Sequence, residues 1–68
     1  MENEIKLVEF VESFETNQCW VSIYKTDKHY KNEYIYVLTS VHKNNGKMLI
    51  RFGNACQIAC IRNSYKII

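Results

Sequence analysis

Tyr34-Ile35-Tyr36-Val37-Leu38-Thr39-Ser40-Val41 decides the fold. These eight residues are β-branched, aromatic, aliphatic or hydroxylic, with no glycine, proline or charge. On a strand, Ile35, Val37, Thr39 and Val41 point to one face and Tyr34, Tyr36, Leu38 and Ser40 to the other. An edge strand is rarely apolar on both faces, so the stretch reads as the central strand of a small sheet, over about 34–42.

Immediately downstream, Asn45-Gly46 separates this run from a second apolar one. Both residues tolerate positive φ, which predicts a tight hairpin. A two-residue and a four-residue loop give the same facing. Val37, Thr39 and Val41 share a face with Met48, Ile50 and Phe52, while Ser40 and His42 share the other with Leu49 and Arg51. A strand over about 47–53 follows. Upstream, Cys19-Trp20-Val21-Ser22-Ile23-Tyr24 alternates and predicts a strand over about 19–25. The polar stretch from Lys25 to Glu33 between them reads as a mobile loop.

The two ends each admit two readings. Leu7, Phe10, Val11 and Phe14 follow helical spacing, with Glu9, Glu12, Ser13 and Thr16 opposite, Asn3 as N-cap and Asn17 as a left-handed stop. Read as a strand, the same segment leaves neither face clean, so a helix over about 4–16 is favoured. At the other end, Gly53-Asn54 marks a turn. Ala55 to Arg62 alternates with Cys56, Ile58 and Cys60 on one face, which favours a strand over 55–62. A short helix capped by Asn54 is the second reading. Asn63-Ser64 then breaks the run before a terminal strand over 65–68.

The sum is an α+β domain of residues 1–68. An N-terminal helix precedes a small, strongly curled antiparallel sheet, or an SH3- or OB-like barrel, of four or five strands. The ending Asn63-Ser64-Tyr65-Lys66-Ile67-Ile68 loosely resembles the way SH3 domains finish. The aromatic signatures of that family are missing, so no membership follows.

Sixty-eight residues, 47% of them hydrophobic, suffice for one small core but leave little room for a deep enclosed pocket. Three cysteines are an odd number, which argues against a disulfide framework and for buried free thiols in a reducing compartment. No apolar run approaches membrane-spanning length, and the acidic start Met1-Glu2-Asn3-Glu4 is unlike a signal peptide. The expectation is a soluble, cytoplasmic protein with no membrane partner.

Charge is unevenly spread. Residues 1–18 carry five glutamates against Lys6, net −4, and residues 19–68 carry eight cations against Asp27 and Glu33, net +6. Lys outnumbers Arg seven to two, and Asn and Ile are abundant, a usage common in AT-rich phage and low-GC bacterial genes.

Chemistry-bearing constellations are few. Cys56-x-x-x-Cys60 with Cys19, His29 and His42 fails as a zinc site on a strand, where four residues span about 13 Å. A helix would repair only that spacing. Cysteine catalysis needs a paired base, and no spacing here pairs one. No P-loop, dinucleotide motif or carboxylate pair is present. No metal, cofactor or catalytic residue is therefore assigned.

A basic-aromatic group around the 25–33 loop, Tyr24, Lys25, Lys28, Tyr30, Lys31 and Tyr36 with Arg51, has the residue types that neutralise phosphates and stack on bases. Glu9, Glu12 and Glu15 form an acidic ridge on the expected helix, suited to a basic partner. The favoured function is a non-enzymatic binding protein that occupies the surface of a host protein or nucleoprotein complex. A phage or mobile-element inhibitor of the anti-restriction or anti-CRISPR type is one such protein. A stand-alone nucleic-acid-binding domain is the alternative, and a homodimer completing its core across an edge strand is a third class.

Overall fold

The computed structural model of the chain describes residues 6–67. Four strands, β1 (Leu7–Glu15), β2 (Cys19–Tyr30), β3 (Glu33–His42) and β4 (Met48–Gly53), precede one helix, α1 (Ala55–Ile67). The strands form a single antiparallel sheet in the order β1-β2-β3-β4. The sheet is open, and the helix follows it rather than leading it. This corrects the N-terminal helix and the closed barrel.

The reason for the first correction lies in β1 itself. Its pairing with β2 slips between Leu7 and Glu9 and again between Phe10 and Glu12. Each bulge adds a residue and inverts the in–out alternation. Two inversions in nine residues turn a strand's period of two into the spacing of Leu7, Phe10, Val11 and Phe14, which mimics a helix. The expected N-cap, Asn3, lies outside the described residues.

The C-terminal segment shows the opposite error. Residues 55–62 and 65–67 are one helix, not two strands. Asn54 starts it. The Gln57 backbone N–H donates to Asn54 Oδ1 at 2.8 Å, and the Asn54 N–H donates to Gln57 Oε1 at 2.9 Å. This reciprocal pair satisfies two of the N–H groups a helix start leaves orphaned. Gly53 makes room for it, because a Cβ there would stand 2.8 Å from Gln57 Oε1.

The central strands match expectation. β3 lies between β2 and β4, and Val37, Thr39 and Val41 face Phe52, Ile50 and Met48 across the hairpin. Its loop turns at Gly46 (φ 72°), with the Gly46 N–H donating to the His42 carbonyl at 2.8 Å. The stretch from Lys25 to Glu33 is not a loop. β2 and β3 continue to Tyr30 and Glu33 and are joined by Lys31-Asn32, both at positive φ (52° and 66°) as a type I′ turn requires. An irregularity after Lys25 is held by Thr26. Its fully buried hydroxyl donates to the Ile35 carbonyl at 2.7 Å and accepts from the Lys28 N–H at 3.2 Å.

α1 covers one side of the sheet. Val21, Ile23 and Leu38 meet Ile58 there, bordered by Phe14, Cys19, Tyr36, Ile61 and Tyr65. Ser40 and Tyr65 share a hydrogen bond at 2.9 Å, and Arg62 donates to Glu12 at 2.8 Å, fastening the helix to β3 and to β1. Of the described helices, none is long and apolar enough to cross a membrane.

A candidate docking face on the open side of the sheet

The strand registers define what stands opposite the helix. Residues directly across from one another share a face. Three cross-strand rows therefore line the far side: Phe10, Tyr24, Val37 and Phe52; Ser13, Ser22, Thr39 and Ile50; Glu15, Trp20, Val41 and Met48. Phe10 sets its ring edge-on to Tyr24 at 5.7 Å, and Val37, next to Tyr24 in the same row, is buried. No described residue lies over these rows. Phe10, Trp20, Met48, Ile50 and Phe52 are each 51–57% exposed.

An aromatic side chain buries ~150–250 Å², so Phe10, Trp20 and Phe52 leave on the order of 100 Å² each in water, and with the smaller Met48 and Ile50 the five leave roughly 400–500 Å². That lies toward the upper end for the largest apolar patch on an ordinary monomer, ~300–600 Å². The rows carry a single charge, Glu15 at the β1 margin. It is paired with Lys43, whose ammonium also lies 5.4 Å over the Trp20 ring.

The basic-aromatic residues are divided among three places. Tyr24 belongs to the open face. Tyr36 is on the helix side against the core, and Arg51 is on that side beside Ile61, Ser64 and Tyr65. Lys28, Tyr30 and Lys31 stand at the exposed tip of the β2–β3 hairpin. Lys25 joins them by reaching 3.9 Å over Tyr34, whose ring lies 4.0 Å from that of His29. The segment 25–33 contains Lys25, Lys28 and Lys31 but also Asp27 and Glu33, so its net charge is only +1.

The three glutamates are distributed along a strand, with Glu9 and Glu12 on the helix side and Glu15 on the open side. Glu12 is held by Arg62 and, at 3.3 Å, by Lys66. The Arg62 hydrogen bond is the main cause that keeps the Glu12 carboxyl below the usual glutamate range, against a smaller opposing effect of desolvation. The same bond raises Arg62. Glu9 stands across from Lys25.

The thiols are not uniformly buried. Cys56 and Cys60 are exposed one turn apart on α1, and Cys19 is half-buried at the core margin. Among the described residues no cluster of three or more His, Cys, Asp or Glu forms a metal site. His29 and His42 each sit near a turn, and no described hydrogen bond joins either to a cysteine.

The open-face residues Phe10, Trp20, Met48, Ile50 and Phe52 are what sequence reading passed over. That reading places Phe10 on the expected helix and Trp20, Met48, Ile50 and Phe52 on strands of the curled sheet or barrel. β3 carries apolar residues on both sides, but that a single helix covers only one of them is not written in the sequence. Compared with known proteins, the chain matches no family model, no curated protein and no solved structure.

Proposed function

We propose that this chain is a non-enzymatic binding protein that acts by occupying the surface of another protein, and that the open sheet face makes the contact. The observation that carries the reading is the triple row centred on Val37, Thr39 and Val41. Its apolar area lies toward the upper end for a monomer's largest patch, such patches often being functional, and its interior is uncharged. Such a face offers nothing to phosphates and much to an apolar protein surface. Action as a phage or mobile-element inhibitor of a host factor fits this mode, with support from size and composition.

Direct nucleic-acid binding has one structural observation in its favour, the Lys25, His29, Tyr34 stack at the hairpin. The near-neutral balance of that segment weighs against it.

Two variants separate the readings. Ile50→Lys places a charge in the middle of the face, and the double variant Lys28→Ala/Lys31→Ala strips the hairpin tip. Labelled single-stranded and duplex oligonucleotides should show no saturable binding at low salt. Proteins retained from nuclease-treated lysate should be lost with Ile50→Lys and kept with the double variant. Saturable oligonucleotide binding that falls steeply with salt and disappears in the double variant would overturn the proposal.

A further inference from the structure

Resting on the docking reading above, we propose that in the free protein, before a partner engages it, the open face is occupied by a second copy of this chain. The two sheets would stack as a sandwich about 10 Å apart, with a helix on each outer side. Three independent observations lead there.

The first is the size of the core. Its buried cluster is four side chains, Val21, Ile23, Leu38 and Ile58, all on the helix side. With its five partly buried neighbours this is a small core whose fold is expected to be marginal, and oligomerisation is one of the ordinary ways such chains gain stability. Stacking two copies places Phe10, Trp20, Val41, Met48, Ile50 and Phe52 in a second core.

The second is self-complementarity. In a two-fold contact the same patch meets itself, so any charge on it meets its like. Here the interior of the patch has none, and Glu15 at the margin already has Lys43. Across the middle run Ser13, Ser22 and Thr39. A two-fold axis in the plane of the contact, through its centre, lays this row against its own copy. Hydroxyls suit that arrangement, since each both donates and accepts.

The third is area. A standard stable contact buries about 800 Å² per partner. At the apolar share of homodimer interfaces, ~65%, this amounts to about 520 Å². The roughly 400–500 Å² left open by five half-exposed side chains is of that order.

The chain contains its own reporter. Trp20 is the single tryptophan, half-exposed in the third row, so its emission reads whether the face is wet. The experiment is sedimentation and Trp20 emission of the wild type over a dilution series, repeated for Ile50→Lys and Lys28→Ala/Lys31→Ala.

The expected result is a species of twice the chain mass with blue-shifted emission that moves to the red on dilution. Ile50→Lys should raise the dissociation constant about 100-fold or more, because each copy buries an unpaired ammonium. The tip variant should leave it within about threefold. Far-UV circular dichroism of Ile50→Lys shows whether the monomer keeps its sheet.

A wild type that stays monomeric to about 100 μM, with water-exposed Trp20 emission, overturns the second copy. If that monomer still retains a lysate protein in an Ile50-dependent way, the docking reading survives this failure. A dimer that persists unchanged in Ile50→Lys also overturns the proposal and points to the free edge of β4.

Discussion

The two sides of this sheet are made from similar residues and meet different fates. On the helix side Val21, Ile23 and Leu38 are 0–3% exposed. On the other side Ile50 and Phe52, on the edge strand β4, are more than half exposed, although Val37 at the centre of that side is buried and Leu49, on the helix side of β4, is exposed. The difference is largely one of supply: one thirteen-residue helix covers the middle of one face and leaves β4 and the opposite face open. A chain that spends β-branched and aromatic residues on a face its own helix does not cover has built a surface for something else.

That comparison breaks most directly at Leu38 and Ile50. Leu38→Ala opens a cavity in a fully buried site and should cost about 2–5 kcal/mol in urea denaturation. Ile50→Ala, measured at a protein concentration low enough to keep the chain monomeric, should cost less than about 1 kcal/mol, because half of its side chain is already in water. Equal costs in dilute solution would mean that the open face is covered within the single chain.

The seat of the helix is the next place to press. Asn54→Ala removes the acceptor for the Gln57 N–H and should lower stability by up to about 2 kcal/mol. It should also expose the helix side of the sheet, seen as faster chemical labelling of the half-buried Cys19 thiol with no change in Trp20 emission. Loss of stability without that asymmetry would make the cap incidental to which face is covered.

How much of this was legible depended on whether local pattern and tertiary role agreed. In β3 and β4 they did. Alternation and Asn45-Gly46 put Val37, Thr39 and Val41 on one face with Met48, Ile50 and Phe52, while the register, Val37 opposite Phe52 and Val41 opposite Met48, came from the structure. In β1 they did not, because two bulges scrambled the alternation of Phe10, Val11 and Phe14 into helical spacing. In α1, the spacing of Cys56, Ile58 and Cys60 suggested a strand. The inward residues are in fact Ile58, Ile61 and Tyr65, spaced by three and four, and the capping pair Asn54 and Gln57 was the signal that would have decided it. The open face was illegible for a simpler reason. A sequence names apolar residues but not whether the chain has enough cover for them.

Polar groups sharpen the comparison on a finer scale. Ser40 is nearly buried and its hydroxyl is paired with Tyr65, while Thr39, its neighbour in sequence, points to the open side. Tyr65→Phe strands the Ser40 hydroxyl and should cost about 1 kcal/mol. Thr39→Val in dilute solution should stay within ~0.5 kcal/mol of the wild type. At concentrations where copies associate, Thr39→Val should weaken association if the hydroxyl row pairs with itself.

The smallest expected effect separates the faces by pH. Glu12 lies on the helix side, and its carboxyl is held below the usual glutamate range mainly by Arg62. In the unfolded chain it takes up a proton at ordinary glutamate values, about pH 4.3. Between that value and the lower folded one, the unfolded state therefore binds more protons, and stability rises with pH. The contribution is fully present above the unfolded value and is lost as pH falls through the folded one. Glu12→Gln should flatten this part of the acid limb without changing the Trp20 emission that reports the open face. A shift of Trp20 emission with Glu12 protonation would show instead that the two sides are coupled through β1, the strand that carries a charged anchor on one side and Phe10 on the other.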